Sequence, residues 1–210
     1  KTIKDINVPQ FKVKNIDLHL DQLLHKFKPY PPNNIIGITG TNGKTSVVWI
    51  TSNIIKLSNR NVNSLGTLGY YKNLKKINDA PLTTPEKSEL HQSAFSSSLK
   101  KTEFVFEVSS HGISKRRIKC LPINVVAITN ISQDHLDFHK TFEKYKKTKF
   151  KLFLKYLLNR GTAILNDNIK SIHLIKKKLN KKDVKIITYG TKKSDINCSI
   201  FKKNIKIKIC

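Results

Sequence analysis

The apolar run Ile35-Ile36-Gly37-Ile38 leads directly into Gly40-Thr-Asn-Gly-Lys-Thr-Ser46. A stretch with Val47, Ile50, Ile54 and Leu57 at helical spacing follows. A strand, a glycine-rich turn and a helix in that order leave few ways to fold. The glycines let the backbone curl until successive N–H groups face one point, and the helix N-terminus adds a dipole that favours an anion there. Lys44 can reach the outer phosphates of a polyphosphate, and the Thr45 hydroxyl is placed to bind Mg²⁺. The spacing is not the strict G-x4-G-K-[ST], because position 38 is Ile. The bland alternative is an ordinary glycine-rich turn, which Gly-Lys-Thr at a helix start argues against.

The remaining pattern continues the alternation. Strands are expected at 62–65, 104–108, 123–131, 163–165 and 185–188. Helices are expected at 85–99, with Thr84 as N-cap, at 141–158 and near 169–180. The strands are continuous apolar runs, not alternating ones. That predicts an α/β fold with a mainly parallel sheet and helices on both faces. Residues 1–33 differ: one amphipathic segment (Leu18, Leu20, Leu23, Leu24, Phe27) is followed by Pro29-Tyr30-Pro31-Pro32, which reads as a linker. The tail from 196 to 210 alternates Ile with Lys and reads as an edge strand.

The charge needs care. The chain has 40 Lys+Arg against 14 Asp+Glu, a net +26, which suggests a nucleic-acid partner first. Yet only four residues are Arg (60, 116, 117, 160), while Lys, Ile and Asn number 36, 26 and 19. All three have AT-rich codons, and nucleic-acid readers favour the planar Arg fork. Codon bias is therefore the better account, and no nucleic-acid partner is expected. No apolar run approaches the ~18 residues of a membrane span. No apolar leader segment opens the chain. Cys120, Cys198 and Cys210 lack metal spacing and suit a reducing cytosol. The chain has no Met at all, which reads as a piece of a longer protein.

Three further clusters carry ligand-type side chains. Glu107-Val-Ser-Ser-His-Gly112 ends a strand, so Glu107 faces the crevice at the carboxyl edge of a parallel sheet and can ligate Mg²⁺. A surface salt bridge is the plain alternative. In Asn130-Ile-Ser-Gln-Asp-His-Leu-Asp-Phe-His139, Asp134, His135, Asp137 and His139 allow a transition-metal site. Capping of the next helix by Asp137 and His139 is the other reading, which leaves His135 as a metal ligand. On a wheel at ~100° per residue, the 141–158 helix puts Phe142, Tyr145, Phe150 and Phe153 on one face, with both Lys146 and Lys149 among them. A core-facing lysine is paired, modified or snorkelling.

GITGTNGKTS, LTTPE, EVSSHGISKRR, TNISQDHLDFH and YKKTK, in that order, resemble the Mur ligase superfamily. The branch they resemble most adds a diamino acid to a UDP-muramyl dipeptide. The resemblance implies that 34–210 is the P-loop-type central ATP-binding domain, that 1–33 is a remnant of the N-terminal UDP-sugar domain, and that the C-terminal domain is absent. It implies ATP and Mg²⁺ as cofactors. Gly40, Thr41, Asn42, Gly43, Lys44, Thr45 and Ser46 would hold the phosphates, with Asn166 and Asp167 near the nucleotide. Thr45 and Glu107 would ligate one Mg²⁺. His135 and Lys149, the latter carbamylated, would hold a second. Lys44, Glu107, His135 and Lys149 would carry the catalysis. Thr83, Thr84, Ser109, Lys115 and Arg117 would bind UDP-N-acetylmuramoyl-L-alanyl-D-glutamate. Lys115 stands where the family often has Gln, and Leu82 where some members have Asn. The implied reaction is ATP-dependent amide formation through an acyl phosphate by a cytoplasmic monomer. Meso-diaminopimelate is the expected amine and lysine the alternative, and the chain alone would be incomplete for activity. A folylpolyglutamate synthetase-type ligase and a basic nucleic-acid-binding NTPase are the competing readings.

Overall fold

The computed structural model describes residues 7–99, 101–190, 193–201 and 204–209. Residues 1–6 of the amino-terminal segment and Cys210 lie outside them. The first element is α1 (Ile16–Lys26), in which the Asn15 side chain accepts from the Leu18 N–H. Its buried Asp21 is held by Lys87 and Lys119, both at 2.6 Å, which ties the helix to the body of the fold. The proline cluster follows, and then the sheet begins.

The strands are β1 (Asn34–Thr39), β2 (Asn61–Gly66), β3 (Gly69–Lys72), β4 (Lys75–Asn78), β5 (Thr102–Glu107), β6 (Ile123–Ile128), β7 (Leu157–Asn166), β8 (Lys185–Gly190), β9 (Ile196–Phe201) and β10 (Asn204–Ile209). They form one sheet in the order β10-β9-β8-β7-β6-β1-β5-β2-β3-β4. Every pairing from β2 across to β9 is parallel, and the outer pairs β2–β3, β3–β4 and β9–β10 are antiparallel. The helices are α2 (Lys44–Leu57), α3 (Lys87–Phe95), α4 (Ser110–Ser114), α5 (Leu136–His139), α6 (Phe142–Lys151) and α7 (Ile172–Leu179).

The expected α/β architecture with a mainly parallel sheet is what the chain adopts. Strand β5 shows why its apolar runs are continuous. Phe104 and Phe106 enter a core with Leu90, Phe95 and Phe153, while Val105 between them enters the opposite core with Val48 and Ile55 of α2. A strand covered on both faces has no polar side to show. The central strand β1 lies between β5 and β6, so the loops leaving the carboxyl ends of all three converge.

Several boundaries differ from the sequence reading. Thr84 does not cap α3, which starts at Lys87 with Glu86 at the N-cap. The Thr84 hydroxyl instead donates to the Glu107 carbonyl (2.9 Å) and accepts from the Ser109 N–H (2.9 Å). The long helix from 141 stops at Lys151 and passes through a π-helical turn, Leu152–Tyr156, into β7. Leu157 and Leu158 are therefore strand residues. The hairpin β3–β4 was not foreseen. Its first strand is half-buried through Gly69 and Tyr70 and its second is exposed and Lys-rich, so neither gives an apolar run, and its turn rests on positive φ at Asn73 and Leu74. The tail is a hairpin, not one edge strand.

Candidate active site

The Gly40–Ser46 loop joins β1 to α2 at the centre of this crevice. Gly40 has φ 151°, and a Cβ there would lie 1.8 Å from the Thr129 hydroxyl on the neighbouring strand end. Gly43 starts the helix with φ 79°. Gly40→Ala is expected to cost about 1–3 kcal/mol, from strain at a glycine-only φ and the clash together. A fall of several °C in the thermal midpoint would show it, and an unchanged midpoint would contradict the packing described.

The loop is braced from three sides. The Thr41 N–H donates to the Asn130 carbonyl and the Asn42 N–H to the Asn130 side chain, both at 3.0 Å. The Asn130 amide and the Thr129 hydroxyl both donate back to the Asn42 carbonyl, at 3.0 and 2.6 Å. The Thr41 hydroxyl bonds Ser132 and the Tyr145 hydroxyl. Thr41 and Asn42 thus spend their N–H groups on Asn130. The amides aimed outward at the helix start are those of Gly43, Lys44, Thr45 and Ser46. The Lys44 ammonium folds back onto the Gly40 and Thr41 carbonyls, at 3.1 and 2.8 Å. Burial lowers its pKa, with Glu107 and Asp134 opposing.

Glu107, at the end of β5, is 1 % exposed. Its Oε2 accepts from the Thr45 hydroxyl at 3.0 Å and its Oε1 from the Thr67 N–H at 2.7 Å. Gly66 leaves the room for this: a Cβ there would be 2.2 Å from Glu107 Oε1. A hydroxyl and a carboxylate meeting under a phosphate-type loop form an oxygen donor set suited to Mg²⁺.

Lys149 lies opposite, on α6, and is 1 % exposed. Its Nζ donates to the Gly40 carbonyl at 2.7 Å and sits 4.7 Å from the Tyr145 ring centre. Burial, then repulsion from Lys44, lowers its pKa to about 7 against attraction by Asp134. Lys146, the other lysine the wheel allowed, reaches out to Glu143 (2.6 Å) and Ser171 (2.9 Å). The buried amine is therefore Lys149.

His135 stands in a left-handed conformation (φ 49°) at the start of α5, with Nε2 3.4 Å from Asp134. Its ring lies 4.9 Å from that of His111 and 6.3 Å from that of Tyr145. Asp137 and His139 lie inside α5, and Thr141 caps α6, so they do not cap the next helix. Among the described residues no group of three metal-type side chains is placed to hold an ion. The transition-metal reading thus loses its geometry.

On the far side of Glu107, Thr83 bonds Thr67 at 3.1 Å. The Ser109 hydroxyl caps α4 through the Gly112 N–H at 3.0 Å. Arg117 is buried. It donates to the Thr84 carbonyl at 3.0 Å and pairs with Glu86 at 2.5 Å, while its Nε has no partner among the described residues. Lys115 is exposed at the end of α4 and is not drawn into this group.

Beyond the loop, Asn166 donates to the Thr129 carbonyl at 2.6 Å. Asp167 faces Ser194 and Lys176. Beside Asn166 is a cleft of about 280 Å³ lined also by Asn130, Ile131, Phe142, Lys146 and Ser171. The sequence reading missed Thr67, Asn130 and Tyr145. Thr67 contributes a backbone N–H, which no side-chain pattern reveals. Asn130 and Tyr145 act on a loop far away in sequence.

The model of the Mur ligase middle domain matches residues 38–208. A UDP-N-acetylmuramoyl-L-alanyl-D-glutamate–2,6-diaminopimelate ligase of Rickettsia rickettsii is 38% identical over 201 residues, 92% of this chain and 42% of that protein. The solved structure of a ligase of the same name superposes with TM-score 0.71 at 27% identity, covering 86% of this chain and 37% of that one. Escherichia coli FolC, solved with DHPP and ADP, gives TM-score 0.67 at 14% identity over 98% of this chain and 53% of its own, a likeness of fold alone. The chain spans about two fifths of the length of the Rickettsia relative.

Proposed function

The chain belongs to the Mur ligase family, and on that premise we propose that it carries the ATP-binding centre of a ligase joining a diamino acid to UDP-N-acetylmuramoyl-L-alanyl-D-glutamate. The observation that carries this is the meeting of the Thr45 hydroxyl and the Glu107 carboxylate beneath the loop, with the buried Lys149 amine on the loop's other side. Residues 34–210 form the central domain in this reading, and 1–33 end the domain before it.

The N–H groups of Gly43 to Ser46 and the Lys44 ammonium would hold the ATP phosphates, and the cleft beside Asn166 would take the rest of the nucleotide. Thr45 and Glu107 would ligate one Mg²⁺, and His135 with a carbamylated Lys149 a second. When bound, the ions would neutralise charge on the transferring phosphoryl group. The free Lys149 amine is a poor partner for a hard cation, but its carbamate offers two oxygens. Thr83, Thr84, Ser109 and Arg117 would orient the dipeptide, with the unpartnered Arg117 Nε–H facing its carboxylates. Lys115, exposed at the end of α4, would be a further contact for the dipeptide.

In the first step a D-glutamyl carboxylate oxygen bonds the γ-phosphorus, the bridging P–O bond breaks, and ADP leaves. In the second the diamino acid's amine attacks the acyl carbon, the C–O bond breaks, phosphate leaves and the nitrogen loses a proton. Meso-diaminopimelate is the proposed amine.

The test is ADP release by the full-length protein, given ATP with and without the muramyl dipeptide and diaminopimelate. Release that needs both supports the reading, and release indifferent to the dipeptide overturns it. Arg117→Ala is expected to lower kcat/KM for the dipeptide about 10–100-fold, the worth of one charge-assisted hydrogen bond. Initial rates at varied dipeptide check this, with the KM for ATP as the internal control.

A further inference from the structure

We infer that Tyr145 is a positioning residue that sets the phosphate loop, acting through the Thr41 hydroxyl. The inference rests on the reading of this loop as the nucleotide site. A threonine hydroxyl has one proton to give and two lone pairs to fill. The Thr41 proton goes to the Ser132 carbonyl at 3.1 Å, and the Ser132 N–H fills one lone pair at 3.0 Å. The Tyr145 O–H, at 3.0 Å, then has one role left, which is to donate into the second lone pair. Burial raises the Tyr145 pKa, so the phenol keeps its proton to donate.

The consequence reaches the loop backbone. Thr41 is anchored through its side chain to Ser132 and Tyr145 and through its N–H to Asn130. These bonds fix the peptides between Gly40 and Asn42, and so the direction in which the amides from Gly43 onward point. Tyr145 is itself fully buried. The His139 ring lies against it at 5.3 Å, and the Lys149 amine sits over its face. One side chain therefore touches both the brace of the phosphate loop and the amine proposed for carbamylation.

The experiment uses the full-length protein as wild type, Tyr145→Phe, Thr41→Val and the double variant. MgADP is titrated into each, and KM and kcat for ATP are measured. Tyr145→Phe is expected to weaken MgADP binding about tenfold, Thr41→Val at least as much because it also gives up the Ser132 bonds, and the double variant no more than Thr41→Val, because the bond to Tyr145 is then already gone. The KM for ATP should rise while kcat at saturation changes less than about twofold. Tyr145→Phe binding MgADP as wild type does would overturn the role. So would a double variant whose loss is the product of the two single losses. Should Tyr145→Phe fail to fold, Thr41→Val tests the same bond from the other side, and wild-type affinity there also overturns it. Wild-type protein that binds MgADP but does not ligate would refute the proposed reaction and leave this role standing. Wild-type protein that binds no MgADP would refute both.

Discussion

Glu107→Gln in the full-length protein is expected to cut dipeptide-dependent ADP release by about 10²–10³-fold, the usual cost of one group that stabilises charge in the transition state. The substitution keeps the shape, so the reason is charge. Glu107 is nearly fully buried, and its two oxygens accept from Thr67 and Thr45. The Thr67 N–H can still donate to the amide oxygen, and the Thr45 hydroxyl can rotate to accept from the amide NH₂. The strand end should therefore survive, with its thermal midpoint moved by a few °C at most. What disappears is the negative charge that touches Thr45 and, with it, the hard oxygen anion proposed to ligate Mg²⁺. Lys44 is affected too. Burial lowers its pKa and Glu107 opposes that, so neutralising Glu107 pushes the Lys44 pKa down further. The measurement is ADP release as a function of Mg²⁺ concentration. A variant with wild-type turnover and wild-type Mg²⁺ dependence would remove Glu107 from the site.

The parts of this architecture that were legible in the sequence are those written by local chemistry. A glycine loop between an apolar run and a helical pattern left two readings, a phosphate loop or an ordinary turn, and in either both Gly40 and Gly43 adopt the positive φ that only glycine takes easily. The double-sided burial of β5 was legible because no polar residue interrupts its apolar centre. The rest depends on partners far along the chain. Thr84 looked like a helix cap because a threonine precedes Pro85, yet its hydroxyl is used by Glu107 and Ser109, more than twenty residues away. The hairpin β3–β4 has no periodic apolar signal because it lies at the sheet edge with exposed lysines. The helix wheel could not separate Lys146 from Lys149, since both fall on the apolar face. Only the position of Glu143 and Ser171 shows that Lys146 reaches out while Lys149 stays in.

Lys149→Met should abolish what a modified lysine contributes, lowering ligase turnover about 10²–10³-fold. It should also reveal the amine's chemistry through pH. The native pKa is lowered to about 7, by burial first and Lys44 second, from 10.5 in the unfolded chain. Between those values the unfolded state holds one proton more than the native state. Stability contributed at this site therefore rises with pH across that window, with a slope approaching about 1.4 kcal/mol per pH unit, and is flat below it. Without bicarbonate, wild type should gain stability relative to Lys149→Met as pH goes from 7 towards 10. With labelled ¹³C-bicarbonate at pH 8, the neutral amine attacks CO₂, an N–C bond forms and one proton leaves. Wild type should then show a carbamate carbon resonance that Lys149→Met lacks. That signal should fade as pH falls below 7, where the amine is protonated and has no lone pair to offer. Turnover at saturating substrates should follow the same rise. A wild-type spectrum without the carbamate resonance at pH 8, alongside full activity, would show that Lys149 acts as an unmodified amine. The second-ion site would then have to be built without it.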